Sequence, residues 1–170
     1  MLWILIPYIL PLLLLYLSSG PGQVIAIQGA LPQLSLVVLV YYGNSRNAFH
    51  GELIGLLIGL TADVLGAAPL GFYSFSFTLV GYLAGISRGK VYIDAIFTPV
   101  LMVGVFIFLK AFISFLLAGI FGFEAVQEVV FNRIFFISLL YSLLLTPILF
   151  AVLKALDKIL PRRLRGGYQD

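Results

Sequence analysis

The sequence predicts an all-α polytopic membrane protein, a bundle of six transmembrane helices, from its composition, its apolar segments and the placement of its basic residues. Hydrophobic residues make up 62% of the 170 positions and charged residues only 10%. Soluble domains hold about 45–50% apolar and about 25% charged residues, so this composition indicates a chain that folds in lipid. We expect one integral membrane domain over residues 1–170.

Six segments approach the length of about 20 apolar residues that a membrane-spanning helix needs. We expect the first to be a retained helix, kinked at Pro7 and Pro11, because no basic residue precedes it and residues 17–20 form a poor signal-peptide cleavage site. Gln28, Gly29 and Pro32 interrupt the second segment, and the fifth is long enough to tilt. The predicted spans are 1–18, 25–43, 50–67, 70–86, 93–120 and 132–153, followed by a basic tail over 154–170.

The basic residues near the span ends predict the orientation. With six spans, the loops and tail that carry these residues all fall on one side of the membrane. The opposite loops, 19–24, 68–69 and 121–131, contain no Lys or Arg and include Glu124 and Glu128. By the positive-inside rule, both termini are expected in the cytoplasm. The basic residues on that side are Arg46, Arg88, Lys90, Lys154, Lys158, Arg162, Arg163 and Arg165.

Small residues recur at every fourth position in the third segment, at Gly51, Gly55 and Gly59. Residues four apart lie near one face of a helix, and a stripe of small residues lets a second helix approach closely. We therefore interpret these glycines as packing residues, with a solute path as the alternative. The fourth segment carries small residues as well, at Ser74, Thr78, Gly81 and Gly85.

The stretch GAAPLG, residues 66–71, predicts a tight turn between the third and fourth spans. Pro69 cannot continue a helix, while Gly66 and Gly71 allow dihedral angles that other residues avoid. The two spans should therefore form an antiparallel hairpin that packs tightly.

Asp63 and Lys110 are the ionisable residues placed well inside predicted spans. A carboxylate at membrane depth costs roughly 2.5–3.5 kcal/mol on insertion scales and is usually paired or functional. Both residues fall in the outer half of their spans, which suggests an intramembrane ion pair. In the alternative, Asp63 caps or braces the turn at residues 66–69, and Lys110 extends towards the outer surface alone.

The composition also argues against several classes of chemistry. Cysteine is absent and His50 is the single histidine, so we expect no disulfide, no metal site and no cofactor. His50 lies at the opposite interface from Asp63, and we find no nucleophile held by a base, so we expect no catalytic residues and no enzymatic activity. The net charge of +3 fits membrane topology and lipid contact, and we expect no nucleic-acid partner.

The order and spacing of several motifs resemble the rod shape-determining protein MreD family. These motifs are PQLSLVVLVYY from residue 32, G-x3-G-x3-G-L-x2-D-x2-G-x2-P-L-G from residue 51, and VGYLAG from residue 80. The chain length, the six spans and a closing helix with Thr146-Pro147 and a basic tail fit as well. The resemblance covers about residues 30–155.

The resemblance implies a non-enzymatic component of the bacterial rod complex in the inner membrane. It implies direct binding to MreC, a wider complex with MreB, RodA and a class B penicillin-binding protein, and support for lateral peptidoglycan synthesis and rod shape. It also implies a fold similar to the substrate-binding component of energy-coupling-factor transporters. The motif that would support the partner surface consists of Gly51, Gly55, Gly59, Asp63, Gly66, Pro69, Leu70, Gly71, Gly81 and Gly85.

The sequence is also compatible with a second function, that of a solute-binding membrane subunit of a vitamin-type transporter. Such a subunit needs an internal cavity with convergent polar groups and a separate ATPase, because this chain has no Walker motif. The residues that could line the cavity are Asp63, Ser74, Ser76, Thr78 and Lys110.

Overall fold

The computed structural model describes residues 6–19, 26, 28–66, 69–88, 97–122 and 132–159. Within these ranges the regular structure is six helices, so the all-α prediction is confirmed. Each predicted span overlaps one of them, although only α4 lies entirely within its predicted bounds. The helices are α1 (Ile6–Ser19), α2 (Leu34–Ser45), α3 (Ala48–Leu65), α4 (Phe72–Ile86), α5 (Phe97–Phe121) and α6 (Arg133–Ile159).

Three of the helices, α3, α5 and α6, are long and apolar enough to cross a membrane. The other three are apolar but shorter, with 14 residues in α1, 12 in α2 and 15 in α4. At 1.5 Å per residue, α2 is about 18 Å long, against a hydrocarbon thickness of about 30 Å. That all six helices cross the bilayer stays a prediction.

Helix α2 lies at the centre of the fold. It packs against α1, α3, α4, α5 and α6, and its residues 35–43 are buried without interruption. Apolar side chains project from every side of α2, which suits a helix enclosed by protein. The other helices therefore surround α2, and its Leu and Val side chains form the middle of the core.

The second predicted span begins earlier in the sequence than the helix does. Residues 28–33, which we call the α2 lead-in, are not helical. Gln28 and Gly29 have φ angles of 52° and 80°, in the left-handed region, and Pro32 disfavours helix in the residue before it. Irregular backbone at membrane depth is tolerated where protein covers it or where it lines a cavity, so the lead-in needs hydrogen-bond partners from its neighbours.

Candidate functional site

Helices α3 and α4 make the most extensive helix–helix contact in the described structure, and glycines lie along it. A Cβ added to Gly51 would lie 2.2 Å from the carbonyl oxygen of Gly81, and one added to Gly55 would lie 2.2 Å from that of Phe77. A Cβ on Gly59 would lie 2.3 Å from the Cα of Ser74. No real Cβ fits at such distances, so the two backbones meet where side chains are missing. This geometry favours packing over a solute path for these three glycines.

The contact continues from the α4 side and extends to α2. A Cβ on Gly85 would lie 2.3 Å from the Cα of Ala48, at the start of α3. Gly43 of α2 lies near Gly81, since a Cβ there would be 3.2 Å from the Gly81 carbonyl oxygen, and it also approaches Gly51. Three helices therefore meet at Gly43, Gly51 and Gly81. Gly43 was not predicted to join this contact, because it lies in a different predicted span from the glycines at 51, 55 and 59.

Asp63 caps the start of α4 from the end of α3. Its side chain is 3% exposed, and its carboxylate accepts hydrogen bonds from the backbone N–H groups of Gly71 (2.9 Å), Tyr73 (2.8 Å) and Ser74 (3.2 Å). The Ser74 hydroxyl donates a further hydrogen bond to Asp63 Oδ2. The first N–H groups of a helix lack partners within the helix and carry partial positive charge, which a carboxylate stabilises. Asp63 therefore joins the two helices of the hairpin.

Among the turn residues that the structure describes, 66 and 69–71, the backbone agrees with the sequence prediction at Gly71 but not at Gly66. Gly66 has φ −93° and ψ 176°, an extended conformation that any residue adopts, so the expectation of unusual dihedral angles is wrong there. Gly66 ends α3, with its N–H donating to the carbonyl of Ala62 at 2.8 Å. Gly71 precedes α4 with a φ of 100°, which only glycine adopts easily. Pro69 accepts a hydrogen bond from the N–H of Phe72, and Leu70 is 78% exposed at the tip. Leu70 is therefore the most exposed large apolar side chain of the described hairpin.

Lys110 has partners different from those of Asp63. Its ammonium donates to Gln33 Oε1 at 3.2 Å and lies 4.7 Å from the ring centre of Phe77 and 6.0 Å from that of Tyr73. The hydrogen bonds given for Asp63 all come from the start of α4. A direct contact between the two charges is therefore not among the interactions of the described residues, and the ion pair stays a prediction that mutation can test.

Two serines of α6 hold the α2 lead-in. Ser138 Oγ donates to the carbonyl of Leu31 at 2.5 Å, and the N–H of Gln33 donates to Ser142 Oγ at 2.8 Å. Ser142 and Thr146 also donate to carbonyls one turn earlier in α6. These hydrogen bonds were not predicted, although Ser138, Ser142 and Thr146 follow the same four-residue spacing as the glycines.

The other polar residues considered as cavity liners bond to their own helix. Ser76 Oγ donates to the carbonyl of Phe72 at 3.1 Å, and Thr78 Oγ1 donates to that of Ser74 at 2.6 Å.

At the opposite end of α2, the Tyr41 hydroxyl donates to Asp157 Oδ2 at 2.7 Å, a link between α2 and α6 that the sequence did not predict. In these contacts the polar side chains stabilise the fold.

The fold and these contacts define a class, an apolar helical membrane protein whose helices are held together by glycine contacts and side-chain caps. A family model described as rod shape-determining protein MreD matches residues 1–156, nearly the whole chain. The chain therefore belongs to the MreD family, and the resemblance drawn from its motifs is confirmed. A search of curated proteins and a search of solved structures each give no match.

Membership has direct functional meaning. It supports a role in rod shape determination and general association with the rod complex, as a bacterial membrane protein with a structural task.

Proposed function

We propose that this protein is a non-enzymatic component of the rod complex that binds MreC directly and so supports lateral peptidoglycan synthesis and rod cell shape. MreB, RodA and a class B penicillin-binding protein belong to the same assembly in this proposal. The observation that carries it is the match of the MreD family model to residues 1–156.

We propose further that the protein crosses the bacterial inner membrane six times, with both termini in the cytoplasm. Its support is the distribution of charge. Arg46 follows α2, Arg88 follows α4, and the basic tail follows α6, all on one side of a six-span arrangement. A single domain over residues 1–170 belongs to the same proposal.

The α3–α4 hairpin is the part that we assign to partner support. Its inner face is fixed by the glycine contacts and by Asp63, so its outer face keeps a constant shape. That outer face is apolar and exposed, as a surface for partner helices or lipid must be. It includes Leu53, Leu56, Leu60, Val64, Phe75 and Tyr82.

Partner identification tests the proposal. The protein is tagged at its C-terminus, cross-linked in native membranes and purified in mild detergent, and co-purifying chains are identified by mass spectrometry. We expect MreC, together with RodA and a transpeptidase. Recovery of paired ATPases and a membrane coupling subunit, without wall-synthesis proteins, would contradict the proposal and support a transporter subunit.

A matched pair of variants connects the hairpin to the partner. Gly55→Ala places a Cβ against the α4 backbone, whereas Gly104→Ala on α5 places one 3.4 Å from the flexible end of Leu143. Both variants should reach the membrane, and we expect the yield of MreC per tagged protein to fall for Gly55→Ala alone. Equal yields of MreC for the two variants would contradict a role of the hairpin in supporting the partner.

A further inference from the structure

One corner of the bundle brings together two arginines from separate connections between helices. Arg46 lies between α2 and α3, and Arg88 follows α4, 42 positions later in the chain. The Arg88 side chain donates a hydrogen bond from Nη1 to the backbone carbonyl of Arg46. A cation is favourable near the C-terminal carbonyls of a helix, so this contact places Arg88 at the end of α2. We call the two residues the arginine corner.

Backbone packing holds the arginine corner in place. A Cβ on Gly85, three residues before Arg88, would lie 2.3 Å from the Cα of Ala48. The end of α4 therefore lies against the start of α3, two residues after Arg46. The Arg46 guanidinium also lies 5.7 Å from the ring centre of the buried Tyr42, a cation–π contact. Both arginines are thus attached to the packed part of the chain.

The positive charge of the corner has no counter-ion among the described carboxylates. Asp63 caps α4 at the other end of the hairpin, Asp157 accepts a hydrogen bond from Tyr41, and Glu52 is exposed on α3. Within the described residues, the two guanidinium groups contact a carbonyl oxygen and an aromatic ring, which are both uncharged. A guanidinium has five N–H donors, so most of them remain for an anion from outside the chain.

Apolar side chains flank the arginine corner on both helices of the hairpin. Phe49, in the first turn of α3, is 67% exposed, and Ile86, the last residue of α4, is exposed as well. Tyr82, one turn earlier on α4, is also exposed. A ligand with an anionic head and an apolar body matches both the charges and this apolar surface. An acidic peptide matches the charges alone.

We propose that the arginine corner binds the headgroup phosphate of one anionic phospholipid, whose acyl chains lie along the exposed apolar side chains of α3 and α4. Guanidinium groups suit phosphate, because two parallel N–H donors bond two phosphate oxygens at once. Anionic headgroups lie at the membrane surface, where basic residues beside a span meet them. This inference goes beyond the proposed function, because it requires neither MreC nor a particular number of crossings.

Native mass spectrometry of the full chain, released from mild detergent, tests the proposal by counting bound lipids. Dioleoyl phosphatidylglycerol is the anionic probe, and dioleoyl phosphatidylcholine has the same chains without net charge. Glycerol phosphate represents the head without chains, and octaglutamate represents an acidic peptide. We expect one phosphatidylglycerol per chain, bound at least fivefold more tightly than phosphatidylcholine and displaced by neither water-soluble competitor.

Variants locate the bound lipid. Arg46→Gln and Arg88→Gln should each weaken phosphatidylglycerol binding about fivefold, the usual contribution of one basic residue at an anionic surface. Arg88→Lys keeps the charge and should bind within about twofold of the unmodified protein. The double variant Lys154→Gln, Lys158→Gln is the matched control, because it removes two charges from exposed positions of α6 and should keep the preference. Circular dichroism shows which variants fold, and the exposed Arg88 gives the test alone if Arg46→Gln does not fold.

Four results would overturn the proposal. Equal affinity of the unmodified protein for the two lipids is one, and unchanged phosphatidylglycerol binding by Arg88→Gln is another. An equal loss in the Lys154, Lys158 control would assign the preference to overall charge. Displacement of the lipid by octaglutamate or by glycerol phosphate would show that the corner recognises charge without an apolar body. None of these results bears on recovery of MreC, so the proposed function is tested separately.

Discussion

At the scale of single residues, Asp63 is the side chain on which the hairpin depends most. Its carboxylate accepts hydrogen bonds from three backbone N–H groups and one hydroxyl at the start of α4. These four donors would lose their partner together if the carboxylate were removed. The residue is therefore both a helix cap and a cross-link between two helices.

We expect Asp63→Ala to lower the free energy of unfolding by about 2–4 kcal/mol, because a cap alone is worth about 0.5–2 kcal/mol and buried donors are left unsatisfied. Asp63→Asn should lose less, since an amide oxygen still accepts. Denaturation in mixed detergent micelles measures the difference. Glu52→Ala, at an exposed position of the same helix, should change little. An Asp63→Ala variant as stable as Glu52→Ala would rule out the capping role.

A charge swap tests the ion pair that the sequence suggested. Lys110 bonds to Gln33 and Asp63 to the start of α4, so we expect the double variant Asp63→Lys, Lys110→Asp to restore nothing that either single variant loses. Unfolding free energies of the four proteins form a double-mutant cycle. Restoration of stability in the double variant would instead support a direct pair.

The sequence carries more information about the partners of Asp63 than about those of Lys110. The residues that bond Asp63 lie 8 to 11 positions later, across a turn whose Pro69 and glycines are visible in the sequence. The alternative in which it braces the turn was therefore within reach. Gln33, the partner of Lys110, lies 77 positions away, and no local pattern connects the two.

At the scale of helices, the α3–α4 contact sets the spacing of the hairpin. Lipid gives no hydrophobic drive for helices to associate, so close backbone packing supplies much of the attraction between them. The four-residue spacing of Gly51, Gly55 and Gly59 predicted a close contact. It did not predict that Gly43 of α2 would join it.

Matched glycine substitutions measure this contact. Gly55→Ala should lower the free energy of unfolding by about 1–3 kcal/mol, the usual range for overpacking, despite the higher helix propensity of alanine. Gly104→Ala meets only the end of the Leu143 side chain, so it should be neutral or stabilise by up to about 1 kcal/mol. Mixed-micelle denaturation again gives both values. If the two variants have the same stability, the glycine contact does not hold the hairpin together.

The start of α2 shows where the prediction of helices from hydropathy ends. Residues 25–33 are apolar enough to extend a span, yet the backbone of the lead-in takes left-handed dihedrals at Gln28 and Gly29. The serines of α6 that satisfy this backbone lie more than 100 positions later. A hydropathy pattern carries no information about such distant partners.

At the scale of the whole molecule, the sequence predicted the class of fold and the positions of its helices but not their arrangement. In a soluble protein, a helix that is apolar on all sides indicates burial. In a membrane protein, lipid-facing surfaces are apolar as well, so the sequence of α2 could not reveal that it lies at the centre. The arrangement depends on shape and on a few hydrogen bonds.

The six-span topology can be tested directly, because the chain contains no cysteine that would give background labelling. We expect Leu70→Cys, at the hairpin tip, to react with a membrane-impermeant maleimide in intact spheroplasts. Ser45→Cys, at the end of α2, should react only after the membrane is opened. Both positions are exposed. Labelling of both residues from the same side would contradict an odd number of crossings between them.

The central position of α2 has a consequence for biosynthesis. Helix α2 leaves the ribosome early, but the serines that satisfy its lead-in belong to α6, the last of the described helices in chain order. Until α6 is inserted, the Leu31 carbonyl and the Gln33 N–H have no partner from that helix, and lipid offers none. A nascent chain that stops before residue 138 therefore has a complete α3–α4 hairpin but an unfinished centre.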